Sequence, residues 1–136
     1  MRIYIAGPYS ASPDTPRHDV PFEVQQNVRE ATKWFWKLVA KGHIPYTPHL
    51  SHYLCTNDPL EAMKYRNVTG ELDSFWYVFD FGWLAQCEAI FMMPNWEKSA
   101  GAKAEKEWAE KHGLKVYLNI KEVPVDRSRK WAKVDE

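Results

Sequence analysis

Three short apolar runs, RIYIA (Arg2 to Ala6), EAIFMMP (Glu88 to Pro94) and LKVYLNI (Leu114 to Ile120), alternate with segments of helical periodicity. Runs this short and this apolar read as strands buried on both faces, and strands alternating with helices predict a parallel sheet covered on both sides. HIPYTP (His43 to Pro48) reads as one more short strand. From Phe22 to Lys41 the residues Val24, Val28, Ala31, Phe35, Leu38 and Val39 recur at helical spacing, and Gly42 stops the helix. The proline-rich segment Tyr9 to Pro21 predicts a loop, as does the His-rich stretch HLSHYLCTNDP (His49 to Pro59). Asp58 is the expected cap of a helix opened by Pro59 and running to about Asn67. Asp73 or Ser74 is the expected cap of SFWYVFDFGWLAQ, which is apolar nearly all round and so expected to be buried or at an interface. A last helix runs from Ser99 to His112 and is closed by Gly113.

At 136 residues the chain is expected to form one domain over residues 1–120, with a polar tail over 121–136 that is a candidate contact for a neighbouring subunit. The 18 basic and 18 acidic residues balance, and the basic ones are scattered, so neither nucleic acid nor an anionic membrane is an expected partner. No apolar run reaches membrane-spanning length and MRIYIAGPYS is unlike a signal peptide, while two cysteines do not make a disulfide framework. The expected setting is the cytoplasm. Seven Trp and seven Tyr are many for so small a chain, and rings in that number pack between subunits or around a flat ligand.

The stretch SAGAKAEKEWAEKHG (Ser99 to Gly113) holds three glutamates that its own spacing sorts. Glu107 has Lys103 and Lys111 four residues away, and Glu110 has Lys106, so both belong to surface ion-pair ladders. Glu105 has Gly101, Ala102, Trp108 and Ala109 as helical neighbours and no cation. It sits on the apolar side of a helix that follows a strand, near the crevice where parallel sheets bind ligands. Two readings stand at this point, a half-exposed carboxylate at the edge of the stripe and a functional group. Asp80 poses the same question from Trp76, Tyr77, Trp83 and Leu84: it is hydrogen-bonded to a buried ring, or it is functional with its pKa raised by desolvation. The turn IAGPYS is a further crevice candidate, with Gly7 allowing close approach and Tyr4, Tyr9 and Ser10 offering hydroxyls, although it is not a P-loop. His49, His52 and Cys55 match no standard zinc spacing, so no metal is expected. His49 reads as a crevice residue, and His43 and His52 as ordinary polar positions.

IYIAGPYS, DFGWLAQCEAIF and SAGAKAE, in that order and context, resemble the nucleoside 2-deoxyribosyltransferase family, a superfamily shared with 2'-deoxynucleoside 5'-phosphate N-hydrolases. The most specific element is Ser99-x-Gly101-x3-Glu105, and the resemblance spans roughly Met1 to Ile120. It implies a flavodoxin-like three-layer α/β sandwich and a glycosyl transfer in which Glu105 is the nucleophile. Asp80 would help protonate the departing base or orient the sugar hydroxyls, and Tyr4 would hydrogen-bond near the nucleophile. Gly7, Pro8, Tyr9, Ser10, His49, Ser99 and Gly101 would line the substrate, a nucleoside or nucleotide with a free nucleobase as second partner. The resemblance implies no cofactor, and it implies a homodimer or larger homo-oligomer. Three positions depart from the pattern. Glu88 stands where Asp is common, Pro8 replaces a small hydroxyl residue of the nucleotide hydrolases, and Ser10 matches their arginine. The Glu88 change is secondary, whereas those at Pro8 and Ser10 weaken a 5'-phosphate pocket, although Ser99 and Arg17 remain candidates for one. The alternatives are hydrolysis of a deoxynucleoside 5'-monophosphate and a non-catalytic nucleotide-binding module.

Overall fold

The computed structural model describes residues 1–69 and 72–133, without the side chains of residues 66–74. The strands are β1 (Arg2–Ala6), β2 (Ile44–Tyr46), β3 (Ala89–Met92) and β4 (Lys115–Tyr117). The helices are α1 (Val20–Ala40), α2 (Ser51–Asn57), α3 (Pro59–Thr69), α4 (Leu72–Leu84) and α5 (Ala100–Lys111). All strand pairs are parallel in the order β2-β1-β3-β4, with Tyr4 opposite Tyr46 and also opposite Ile90. This is the α/β, flavodoxin-like arrangement that the alternation of runs predicts.

Alternation along the strands sorts the core into two layers. Ile3, Ile5, Ala89 and Phe91 face α1 and meet Ala31 and Leu38, with Trp34 and Phe35 packed alongside. Tyr4, Ala6, Ile90 and Met92 face the other way, against Leu84 of α4 and Ala102 and Ala109 of α5. The second layer therefore carries a tyrosine in the middle of a fully buried strand, and that polar group needs a partner.

Several local signals act as expected. The carboxylate of Asp58 accepts from Glu61 N at 3.3 Å at the start of α3. Gly42 and Gly113 follow α1 and α5 with φ of +91° and +75°, the left-handed conformation that glycine adopts without strain. The expected cap at Asp73 or Ser74 concerns side chains outside the described ones. Two segments differ from expectation. The His-rich stretch is not a loop: Pro48 opens a short 3-10 turn over Pro48–Leu50 that runs into α2, because no proline or glycine interrupts Ser51 to Asn57. Helix α1 begins two residues earlier than the periodicity implied, since Pro21 lies in its first turn, where a missing N–H costs nothing.

The C-terminal segment is tied to its own chain. Asp126 N donates to Lys41 O and Lys133 N to Ala40 O, both at 2.7 Å, and Val123 is buried in the α1 layer. His43, expected as an ordinary polar position, is buried and its Nε2 lies 2.6 Å from Pro124 O. A Cβ at Gly42 would lie 2.2 Å from Asp126 O, whereas one at Gly113 would meet nothing within 4 Å. Both Gly→Ala changes carry backbone strain of about 1–3 kcal/mol, but only Gly42→Ala also dislodges the tail. Gly42→Ala is therefore expected to lower Tm further than Gly113→Ala and to speed amide exchange in residues 123–133. Equal losses in Tm would show that the tail adds nothing at this point.

Candidate active site

The buried tyrosine finds its partner in the glutamate that the helical spacing set apart. The Tyr4 hydroxyl donates to Oε2 of Glu105. Ser99 places the helix that delivers it: its side chain caps α5, with Oγ accepting from Ala102 N at 3.1 Å. Ala102, Glu105 and Ala109 then form the buried stripe of α5, the two alanines being small enough to bring the helix close to the sheet. Glu105 is 9% exposed. Its two neighbours behave as surface charges: Glu107 pairs with Lys111 at 3.1 Å with both side chains 69% exposed, and Glu110 pairs with Lys106.

Asp80 reaches the same place from α4. Its charge acts on both Tyr4 and Glu105, and its Oδ1 is buried without a hydrogen-bond partner among the described residues. Burial raises the Asp80 carboxyl to about 7. Glu105 is raised to about 8, by burial first and by the Asp80 charge, against the lowering effect of the Tyr4 hydrogen bond. Burial, followed by the charge of Glu105, raises Tyr4 well above the usual phenol range, so it stays a donor. Two carboxyls in one low-dielectric pocket shed their protons in sequence, and near neutral pH they share one. The Tyr4 bond favours the ionised form of Glu105, but burial outweighs it and holds that carboxyl at about 8, above Asp80 at about 7. A pair that holds one proton near neutral pH presents a carboxylate and a carboxylic acid side by side.

Tyr46 also lies in this cluster and was not among the candidates drawn from the sequence. It sits beside Tyr4 in the paired register, with ring centroids 5.7 Å apart, and Trp83 stacks on it at 5.3 Å. The signal was present, since HIPYTP puts a tyrosine into a strand that pairs with β1, but the pairing itself is not readable from spacing.

The other candidates scatter. His49 is buried, its Nε2 lies 3.0 Å from Pro8 O, and its Nδ1 has no partner among the described residues. Burial pushes its pKa down to about 4, so it is neutral, with Nε2–H donating and Nδ1 left as an acceptor. Tyr9 meets His52 rather than the carboxyls, its hydroxyl being 3.0 Å from Nδ1. Ser10 is exposed, and its carbonyl accepts from Asn27. Gly7 makes room for protein rather than for a ligand: a Cβ there would lie 2.6 Å from Met93 Sδ. A Cβ at Gly101 would make ordinary contact, 3.6 Å from the Tyr77 hydroxyl. Glu88 pairs with the Arg2 guanidinium at 3.0 Å, at the opposite ends of the strands from the crevice. Among the described residues, no three His, Cys, Asp or Glu side chains converge as a metal-ligand set. A shallow pocket lined by Gln25, Val28, Arg29, His52 and Tyr53 contains neither carboxyl.

A parallel sheet with a buried and a half-buried carboxyl under two helices defines an α/β domain with paired carboxyls on one face. Residues 1–118 match the family described as a domain of unknown function (DUF4406), and the chain belongs to that family. No curated protein matches it.

The carboxyl of Glu105 has a stability signature. Unfolded, it titrates near 4.5; folded, it holds its proton to about 8. Between those values the native state binds more protons than the unfolded chain, so its contribution to stability falls as pH rises through that window. Glu105→Gln keeps the shape and removes the titration. It is expected to leave Tm nearly unchanged at pH 4.5 and to raise it at pH 8.5 by roughly 5 °C. Parallel Tm curves for the two proteins across the window would show that the carboxyl titrates near its ordinary value.

Proposed function

We propose that the protein cleaves the N-glycosidic bond of 2'-deoxynucleosides and passes the deoxyribosyl group to a second nucleobase. The observation that carries the reading is the buried Glu105, held by Tyr4 and within the electrostatic reach of Asp80. The resemblance of IYIAGPYS, DFGWLAQCEAIF and SAGAKAE to the nucleoside 2-deoxyribosyltransferases supports it. In this scheme the pair reacts with its one proton moved from Glu105 to Asp80, and the freed carboxylate oxygen of Glu105 bonds to the anomeric carbon as the bond to the base nitrogen breaks. The bonding pair leaves with the base, and the proton on Asp80 follows it. Attack by the second base at the same carbon releases Glu105 and returns a proton to Asp80. The cycle needs no cofactor.

Transfer without net hydrolysis, the expected outcome, appears as base exchange when a deoxynucleoside is incubated with a second free base. Base release only from deoxynucleoside 5'-monophosphates would replace the transferase with a hydrolase that uses water as acceptor. Absence of turnover in every combination would leave a nucleotide-binding module. Glu105→Ala is expected to abolish exchange, while Glu107→Ala, at an exposed ion pair, barely changes it. Equal losses would overturn the site. The shared proton makes the rate bell-shaped in pH, with its maximum between about 7 and 8. A profile without two limbs would remove Asp80 as the acid.

The apolar helix expected to be buried or at an interface leaves Val78, Phe79 and Trp83 exposed in the single chain. Those residues support a homodimer or larger homo-oligomer, and light scattering at micromolar concentration reads the mass directly. A monomer there would remove the neighbouring subunit from the site.

A further inference from the structure

Tyr46 is the group in the crevice to which the scheme above gives no work. Its backbone is fixed beside Tyr4 by the β1–β2 register, so both rings lie on the sheet face that α4 and α5 cover. Its ring is pinned from two sides, tilted against Tyr4 at 5.7 Å and stacked on Trp83 at 5.3 Å with 20° between the planes. Trp83 lies one helical turn after Asp80 on α4, so the stack ties Tyr46 to the helix that carries the acid. The Tyr46 hydroxyl makes no hydrogen bond among the described residues. Asp80 Oδ1 is likewise unpartnered, and buried. Burial, then the charges of Asp80, Cys87 and Glu105, push the Tyr46 phenol up to about 12. It therefore lies within electrostatic reach of both carboxyls and keeps its own proton.

A fixed phenol and a carboxyl oxygen without partners among the described residues, half-buried on one sheet face and within electrostatic reach of each other, are complementary to a ligand group that can engage both. We infer that Tyr46 is a substrate-contacting residue: its hydroxyl donates to a carbonyl oxygen or ring nitrogen of the departing nucleobase while Asp80 supplies the proton that the base takes up. This rests on the proposed glycosyl transfer. As the bond to the anomeric carbon breaks, the electron pair delocalises onto the acceptor atoms of the base, and the phenol stabilises that charge without transferring its proton.

Tyr46→Phe tests the role, because the ring and both its stacks survive and only the hydroxyl is lost. The variant is expected to keep the wild-type Tm and to lose about 10- to 100-fold in kcat on ordinary 2'-deoxynucleosides. The loss should shrink several-fold on a base that leaves easily by itself, read by comparing 2'-deoxyuridine with 5-fluoro-2'-deoxyuridine and 2'-deoxyadenosine with its 2-fluoro derivative. A purely structural role would lower all rates by one factor, and that result, or an unchanged rate, overturns the inference while leaving the transfer reaction intact. Binding of free uracil and adenine, followed by calorimetry, separates the two claims if the wild type turns nothing over. Binding weakened about tenfold or more by Tyr46→Phe then keeps the contact and discards the reaction. Binding that is absent, or equal in both proteins, discards the contact as well.

Discussion

The hydrogen bond between Tyr4 and Glu105 is the constraint around which the second layer of this domain is organised. Neither group would be tolerated alone. A phenol in the middle of a fully buried strand loses its water, and a carboxyl under a helix loses more. Together each satisfies the other, provided α5 approaches the sheet closely enough for a glutamate to touch a strand side chain. Ala102 and Ala109, on either side of Glu105 along the helix, permit that approach, and the Ser99 cap fixes where the helix begins. Leu at either alanine would push the helix outward and part the pair.

The two faces of the sheet divide the work. On the α1 side the layer is apolar, and the tail closes it, with Val123 buried and Lys41 Nζ donating to Val123 O at 2.9 Å. On the α4–α5 side the layer holds two phenols and two carboxyls among Ile90, Met92 and Leu84. The first face contributes burial without polar cost. The second retains protons near neutral pH in order to exist at all, which is why its groups are responsive. A fold with both layers built like the second would be hard to stabilise.

Much of this was legible in the sequence. The alternation of runs predicts the parallel sheet, and the helical neighbours of Glu105, small or aromatic and never cationic, single it out from Glu107 and Glu110. Both predictions rest on local periodicity, which a chain displays directly. What the sequence conceals depends on pairing across the chain. Tyr46 gains its meaning only from the β1–β2 register, 42 residues from Tyr4. Gly7 looked like room for a ligand, yet the room is taken by Met93, a residue of the neighbouring strand's end. The His-rich stretch misled for a different reason: short helices held by tertiary contacts leave no strong periodic pattern.

The choice of phenols as partners has a consequence for chemistry. Among the described residues, the lysine and arginine ion pairs use Arg2, Lys64, Lys106 and Lys111, each with a carboxylate that is at least partly exposed. None of these cations serves Glu105 or Asp80. A lysine or arginine in the crevice would draw both carboxyls into the ionised form and leave no acid at neutral pH. A phenol stabilises a carboxylate by one hydrogen bond and adds no full charge, so the pair still keeps a proton near neutral pH. The crevice thus keeps two carboxyls of the same chemical type in different surroundings, one touched by a tyrosine and one with an unpartnered oxygen among the described residues.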